Sequence, residues 1–132
     1  MVMCKLIKVK TNYDSSVMVA DYKADTIRFI IDIAKNCSDI DAIMLFGSAL
    51  EERCKERSDI DIVIFSKKTV NALSSKKSFD EFKRQLYFRD LSQEYDFLYF
   101  KSIDEIYQKI DKAPIFKELA EKGKIIYKRQ VA

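Results

Sequence analysis

Three short apolar segments constrain the fold of this chain more than any other feature. They are "DAIMLF" at 41–46, "DIDIVIF" at 59–65 and "YDFLYF" at 95–100. Apolar runs of this length, bounded by polar residues, are typical of buried β-strands. A strand buried on both faces needs helices to cover the sheet, so these segments predict layers of helices and strands.

Helical patterns lie between and beside these segments. Apolar side chains recur at helical spacing within residues 21–37, and capping-box patterns at Ser78 and Ser102 predict the starts of two further helices. Pro114 fits the first turn of another helix, and Gly123 fits its C-terminal stop. Apolar strands that alternate with helices predict an α/β fold class.

The remaining segments are less regular. Residues 4–10 alternate weakly and predict a strand or an arm, and "KIIYK" at 124–128 predicts a last short strand. The polar stretch 66–77 is predicted to be a long connection. Its lysines either solvate a loop or supply positive charge to an anionic ligand; they are Lys67, Lys68, Lys76 and Lys77. No linker divides the chain, so residues 1–132 are predicted to form one domain.

Composition excludes several classes of site. The 132 residues include no histidine, which rules out Ser-His-Asp and Cys-His catalysis. A zinc site is not expected, because Cys4, Cys37 and Cys54 are widely spaced and form no C-x-x-C pair. The net charge of +3 is too small to indicate nucleic-acid binding. Acid–base or metal chemistry would therefore depend on carboxylates, lysine or tyrosine.

The sequence also predicts a cellular location. It shows no charged-then-apolar signal at the N-terminus and no apolar run long enough to span a bilayer. Three cysteines cannot all pair internally, which suits a reducing compartment. We therefore expect a cytoplasmic protein without a membrane partner.

Two aspartates stand directly before an apolar run. Asp59 and Asp61 are two residues apart, so on a strand their side chains point to the same face. Two unit charges about 5 Å apart repel by roughly 3 kcal/mol at an effective dielectric of about 20. Protonation of one carboxylate would relieve this repulsion, and so would a divalent cation such as Mg²⁺. Alternatively, both aspartates lie at the solvated mouth of a strand.

A turn and a third acid belong to the same pattern. Gly47 and Ser48 end the first apolar segment, where a turn can direct N–H groups and the Ser48 hydroxyl toward a phosphate. The alternative is a plain turn with a helix cap. Asp96 lies in the third apolar segment, and it would join Asp59 and Asp61 if the two strands were neighbours. Its alternative is a surface position on an edge strand.

Together, "LFGS", "SDID" and "YDFLYF" resemble the nucleotidyltransferase superfamily that includes DNA polymerase beta and the kanamycin-type nucleotidyltransferases. The resemblance implies a small mixed β-sheet with helices packed on it. It places the core at about 21–100, with a helical tail and a short final strand at 102–128. The closest subgroup is the minimal nucleotidyltransferases, which lack the added helical domain of larger relatives.

The resemblance also implies roles for individual residues. Ser48 would contact the triphosphate of ATP, and Gly47 would allow its close approach. Asp59 and Asp61 would hold Mg²⁺, while Asp96 would complete a site for two metal ions and help to activate the attacking hydroxyl. These three aspartates are thus the predicted catalytic and metal-binding residues.

The minimal subgroup is often paired with a HEPN-domain toxin. The resemblance therefore implies an antitoxin of a type VII toxin–antitoxin pair that transfers AMP to a tyrosine of the toxin. Two departures, Ala49 where many relatives have Arg and Glu52 where many have Gly, favour an alternative: a non-catalytic antitoxin with a vestigial site. A further alternative is an antibiotic or RNA nucleotidyltransferase that needs a partner subunit.

Aromatic residues are numerous enough to suggest an exposed binding surface. Each is either part of the core or part of a surface for a homo-oligomer or a partner. The residues concerned are Tyr87, Phe88, Tyr95, Tyr99 and Tyr107.

Overall fold

Strands and helices alternate along most of the chain. The computed structural model describes residues 4–52, 55 and 57–130. Its strands are β1 (Leu6–Lys10), β2 (Ser16–Ala20), β3 (Ala42–Phe46), β4 (Ile60–Phe65), β5 (Tyr95–Phe100) and β6 (Lys124–Lys128). Its α-helices are α1 (Ala24–Ala34), α2 (Val70–Ser74), α3 (Lys77–Arg89), α4 (Ile103–Gln108) and α5 (Pro114–Lys122). None of these helices is long and apolar enough to cross a membrane.

Four of the strands form a mixed sheet, in the order β5-β4-β3-β6. β3 pairs antiparallel with both β4 and β6, whereas β4 and β5 are parallel. The predicted fold class, a small mixed sheet with helices packed on it, is therefore confirmed. β1 and β2 form a separate hairpin. The sequence predicted only the first strand of this hairpin. The second strand, β2, was not predicted, because its segment has no strong apolar pattern.

The two faces of the mixed sheet carry different helices. On one face, Ile60, Ile62 and Ile64 of β4 join a core with α1 and α3. On the other face, Val63 and Phe65 join a smaller core with α4 and α5. Successive side chains of a strand alternate between faces, so the side chain of Asp61 lies on the face that α4 and α5 cover.

The predicted start of α3 was wrong in detail, and so was the loop before it. The stretch 66–77 contains α2, and the hydroxyl of Thr69 accepts a hydrogen bond from the N–H of Ala72 at 3.2 Å. α3 begins at Lys77, ahead of the expected cap. The Ser78 hydroxyl instead donates to Asp39 at 3.0 Å. A tertiary partner thus replaced the local capping interaction.

Gly123 ends α5 as predicted, but for a different reason. Its φ of −64° is accessible to any residue, so a left-handed cap is not what requires glycine here. A Cβ at this position would instead overlap the sulfur of Met44 and lie 2.6 Å from the carbonyl oxygen of Leu119. The close approach of α5 to β3 therefore excludes a side chain.

The five aromatic residues divide between core and surface. Tyr95 is buried and Tyr99 is half-buried. Tyr87, Phe88 and Tyr107 are exposed, so only these three are freely available to a partner.

Candidate active site

Two acids lie side by side at one end of the sheet. Asp61 of β4 and Asp96 of β5 are register partners on adjacent parallel strands. Parallel neighbours present their paired side chains on the same face, about 4.8 Å apart between strand axes. Asp61 is half-buried and Asp96 is exposed, so the pair opens to solvent. The structure thus brings together the two acids that the sequence placed in separate segments.

Asp61 experiences the repulsion that the sequence predicts. Burial is the largest cause that raises its pKa, and the charge of Asp96 is the next. A hydrogen bond between the two carboxyl groups and the charges of Asp59 and Glu118 add to the effect. Together they raise the pKa of Asp61 to about 6. Since no described residue supplies a charge that lowers this pKa, the pair favours a bound proton or cation.

Asp59 adds negative charge to the cluster from a position just before β4. It directly precedes β4 and is half-buried, as Asp61 is. Neither aspartate is fully buried. Asp59 lies at the solvated mouth of the strand, close enough for its charge to raise the pKa of Asp61.

Gly47 packs directly against this acid cluster. Phe46, the last residue of β3, is the register partner of Asp61, and Gly47 follows it with φ of +75°. This left-handed conformation strains other residues, and a Cβ here would overlap the Oδ2 atom of Asp61. Two independent features therefore require glycine at position 47: its positive φ and its contact with the Asp61 carboxylate. The half-buried Ser48 follows in a short 3₁₀ helix, Gly47–Leu50.

A buried lysine holds the segments that lead into the two acid-bearing strands. Lys23 is 1% exposed, and its ammonium group donates to the carbonyl of Ser58 and to Oε1 of Gln93, both at 2.7 Å. The Gln93 amide donates to the same Ser58 carbonyl at 2.9 Å and to the carbonyl of Glu94 at 2.8 Å. Ser58 precedes Asp59, and Glu94 lies two residues before Asp96. We call Lys23 and Gln93 the clamp.

The sequence contained a signal for the clamp that we did not use. Lys23, Ile27, Ile30 and Ala34 share one helical stripe, and the last three of these are buried. A lysine on an apolar stripe needs a buried partner. The identity of that partner was not visible, because Ser58 lies 35 positions away and Gln93 lies 70 positions away.

Sequence comparison identifies the family to which this arrangement belongs. A family described as "Polymerase beta, Nucleotidyltransferase" matches residues 28–132, which include the Gly47 turn and all three acids. The chain belongs to this family. No curated protein matches it. The family supports nucleotidyl transfer as the general activity of the chain.

The acids of this nucleotidyltransferase suit Mg²⁺. Among residues 4–52, 55 and 57–130, no three His, Cys, Asp or Glu side chains are grouped so that they could hold a metal ion unaided. Mg²⁺ does not need such a cage, because it commonly takes one or two carboxylates together with waters and substrate phosphates. Asp61 and Asp96 form such a pair, with Asp59 nearby, and the raised pKa of Asp61 reflects unmatched negative charge.

The four lysines of the 66–77 stretch do not reach this site. β4 runs away from Asp61, so the residues after Phe65 lie at the other end of the strand, roughly 13 Å away by strand rise. There, Lys68 pairs with Asp39 at 3.5 Å, and the N–H of Lys67 donates to Asp41 at 3.0 Å. Positive charge for a triphosphate must therefore come from elsewhere.

An open cleft beside Gly47 contains both lysines and glutamates. It has a volume of about 650 Å³ and lies between the β1–β2 hairpin, the Gly47 turn and the end of α5. Lys122 and Lys124 line it, but so do Glu51, Glu118 and Glu121. Of the two departures from the family pattern, Ala49 is fully buried and the Glu52 side chain is exposed. Neither adds a charge to the cleft.

Proposed function

We propose that this nucleotidyltransferase uses Mg²⁺ and ATP to transfer AMP to a tyrosine of a HEPN-domain toxin and so acts as its antitoxin. The observation that supports catalysis is the Asp61–Asp96 pair in register beside Gly47, with the pKa of Asp61 raised by burial and by the neighbouring acids. The choice of ATP, tyrosine and toxin rests on the resemblance to minimal nucleotidyltransferases.

The reaction forms one bond and breaks one bond at the α-phosphorus. The acceptor oxygen attacks this phosphorus in line, the bond to the bridging oxygen breaks, and pyrophosphate leaves with its electron pair. Asp96 accepts the proton of the acceptor hydroxyl. Asp59 and Asp61, with Asp96, would hold Mg²⁺, which when bound neutralises the phosphate charge that develops during transfer. Gly47 lets the turn lie against Asp61, and Ser48 offers its hydroxyl to the triphosphate.

The openness of the site supports a macromolecular acceptor. Asp96 is exposed, and β5 is an edge strand of the mixed sheet. An acceptor side chain that projects from another protein therefore reaches Asp96 without entering a closed pocket. The described residues include no second helical domain that would enclose a small acceptor.

The test is transfer of label from [α-³²P]ATP to the protein encoded by the adjacent gene, with Mg²⁺ present. The wild-type chain should label that protein on tyrosine, whereas Asp61→Asn/Asp96→Asn should not. Asp32→Asn, which removes an exposed acid from α1, is the matched control. Label transfer that persists in the double variant would overturn the catalytic assignment.

A second candidate function is neutralisation by contact alone. The cleft beside Gly47 is lined by three glutamates, which repel a triphosphate, and Ala49 provides no guanidinium. In that case the double variant would still neutralise the partner in a co-expression growth assay. Loss of neutralisation together with loss of label would exclude this second function.

A further inference from the structure

We propose that the end of the sheet opposite the acids binds an acidic, amphipathic segment of a partner protein. The surface consists of a cavity and the adjoining exposed side of α4, and we call it the basic docking surface. It goes beyond nucleotidyl transfer, because none of the catalytic residues contributes to it.

The cavity has an apolar floor. Its volume is about 460 Å³, and Ala42, Phe65 and Ile125 line it from three neighbouring strands. Ile103, the first residue of α4, forms one wall. Cavities of this size with mostly apolar walls accept one or two large side chains or a small ligand.

An apolar stripe extends from the cavity along α4. Ile103, Tyr107 and Ile110 have positions i, i+4 and i+7, so they share one side of the helix and of the turn after it. They are 36%, 51% and 36% exposed, whereas Ile106, next to them on the core side of the same stripe, is fully buried. The apolar stripe of α4 thus extends past the core to an exposed edge, which an apolar side of a partner helix can cover.

Basic residues predominate around the cavity, whereas α4 itself carries the acids Asp104 and Glu105. Lys67, Lys101, Lys128 and Arg129 all line the cavity. The one acid among the described residues that line it, Asp41, is already paired with Arg129 at 2.8 Å. Lys128 lies over the ring of Tyr13 at 4.5 Å, while Lys67 and Lys101 form no ion pair with described residues. With four basic residues and one acid, the lining of the cavity has a net positive charge.

Charge complementarity selects the occupant. An acidic partner would pair its carboxylates with Lys67 and Lys101 while its apolar side chains cover the stripe. A second copy of this chain, packed on the same surface about a two-fold axis, would instead bring two cavity rims of net positive charge together. An acidic amphipathic segment of another protein therefore fits this surface better than self-association does.

The test uses the ¹⁵N-labelled chain and a synthetic amphipathic peptide of about five helical turns, with leucines on one face and glutamates on the other. At about 0.15 M salt, saturable amide shifts should be confined to residues near 101–110 and 125–129. Affinity should fall as salt rises, and Lys67→Glu/Lys101→Glu should weaken binding by about tenfold or more. The matched control, Lys76→Glu/Lys77→Glu, changes two exposed lysines outside the surface and should bind normally.

Several outcomes would overturn the proposal. These are the absence of saturable shifts, equal affinity for a peptide with lysine in place of each glutamate, and unchanged affinity in Lys67→Glu/Lys101→Glu. A dimer in sedimentation that protects α4 would assign the surface to a second copy, and ATP shifts at the same amides would assign it to a small anion. Asp61→Asn/Asp96→Asn should bind the peptide as the wild type does, so failure of the catalytic proposal would be separately visible.

Discussion

The two ends of the mixed sheet are built differently. At the acid end, Asp61 and Asp96 lie on adjacent strands, Gly47 packs against one of them, and a fully buried lysine fixes the backbone before Asp59. At the opposite end, the charged groups are exposed lysines and two accessible ion pairs, Arg129–Asp41 and Lys68–Asp39. One end forces like charges together and constrains them, whereas the other presents its charges to solvent.

This difference separates a site that performs chemistry from a surface that binds. A group that reacts at a phosphorus atom has to be held within a fraction of an ångström of its working position. At the acid end this precision costs free energy, because the carboxylates repel each other. A surface that attracts an acidic partner needs only the sign of its charge. Substitutions at the acid end should therefore have large effects, and matched substitutions at the other end small ones.

Gly47→Ala should produce the largest effect. The new Cβ would push against Oδ2 of Asp61, and alanine would be strained at φ of +75°. We expect nucleotidyl transfer to fall by about a hundredfold or more, since small misplacements of a catalytic group cost about that much. Transfer from labelled ATP and Mg²⁺-dependent thermal stabilisation would measure it. Lys67→Ala at the other end should change neither, and a Gly47→Ala protein with normal transfer would refute the packing argument.

Lys23→Met should produce the second-largest effect, a loss of stability. It removes a buried cation and leaves the Ser58 carbonyl and Gln93 without their shared donor. We expect a loss of about 2–3 kcal/mol in the free energy of unfolding, measured by urea denaturation. Arg129→Met is the matched change, because Arg129 also donates to a carbonyl, that of Ser38, but from an exposed position. It should cost about 1 kcal/mol or less, and equal losses would erase the contrast between the two ends.

The sequence predicted the acids of the site better than the clamp that fixes the backbone before them. The apolar patterns located β3, β4 and β5, and parallel neighbours with acids near their starts necessarily bring Asp61 and Asp96 together. The clamp could not be predicted in full, because its hydrogen bonds join residues distant in sequence. By contrast, the distance between Lys67 and the acids follows from the length of β4, which favours the first of the two alternatives for these lysines, solvation of a loop.

The titration of Asp61 should change the stability of the fold with pH, by less than Lys23→Met does. Its pKa of about 6 in the folded chain exceeds the ordinary 3.8, so the folded state binds the proton more tightly. Stability should therefore be highest below about pH 4 and fall as pH rises through about 6. With solvent screening taken into account, the loss at pH 8 is about 1 kcal/mol. Asp61→Asn should lack this loss, and Mg²⁺ should reverse it in the wild type only. Thermal melts at about pH 4 and at pH 8, with Asp32→Asn as the control, would measure this loss of stability. If Asp61→Asn lost as much stability as the wild type does, the assignment to Asp61 would be contradicted.

Tyr95→Phe should give the smallest effect, and one of opposite sign. Tyr95 precedes Asp96 but points to the other face of the sheet, where its buried hydroxyl has no hydrogen-bond partner among the described residues. Burial raises its pKa to about 12, so the hydroxyl remains a neutral donor without an acceptor. Its removal should stabilise the fold by about 0.5–1 kcal/mol in urea denaturation. Tyr13→Phe should destabilise by about 1 kcal/mol, because the Tyr13 hydroxyl donates to the carbonyl of Ile125 at 2.7 Å. If both variants lost stability equally, the Tyr95 hydroxyl would have a hydrogen-bond partner, and the apolar face behind the acids would contain a polar contact.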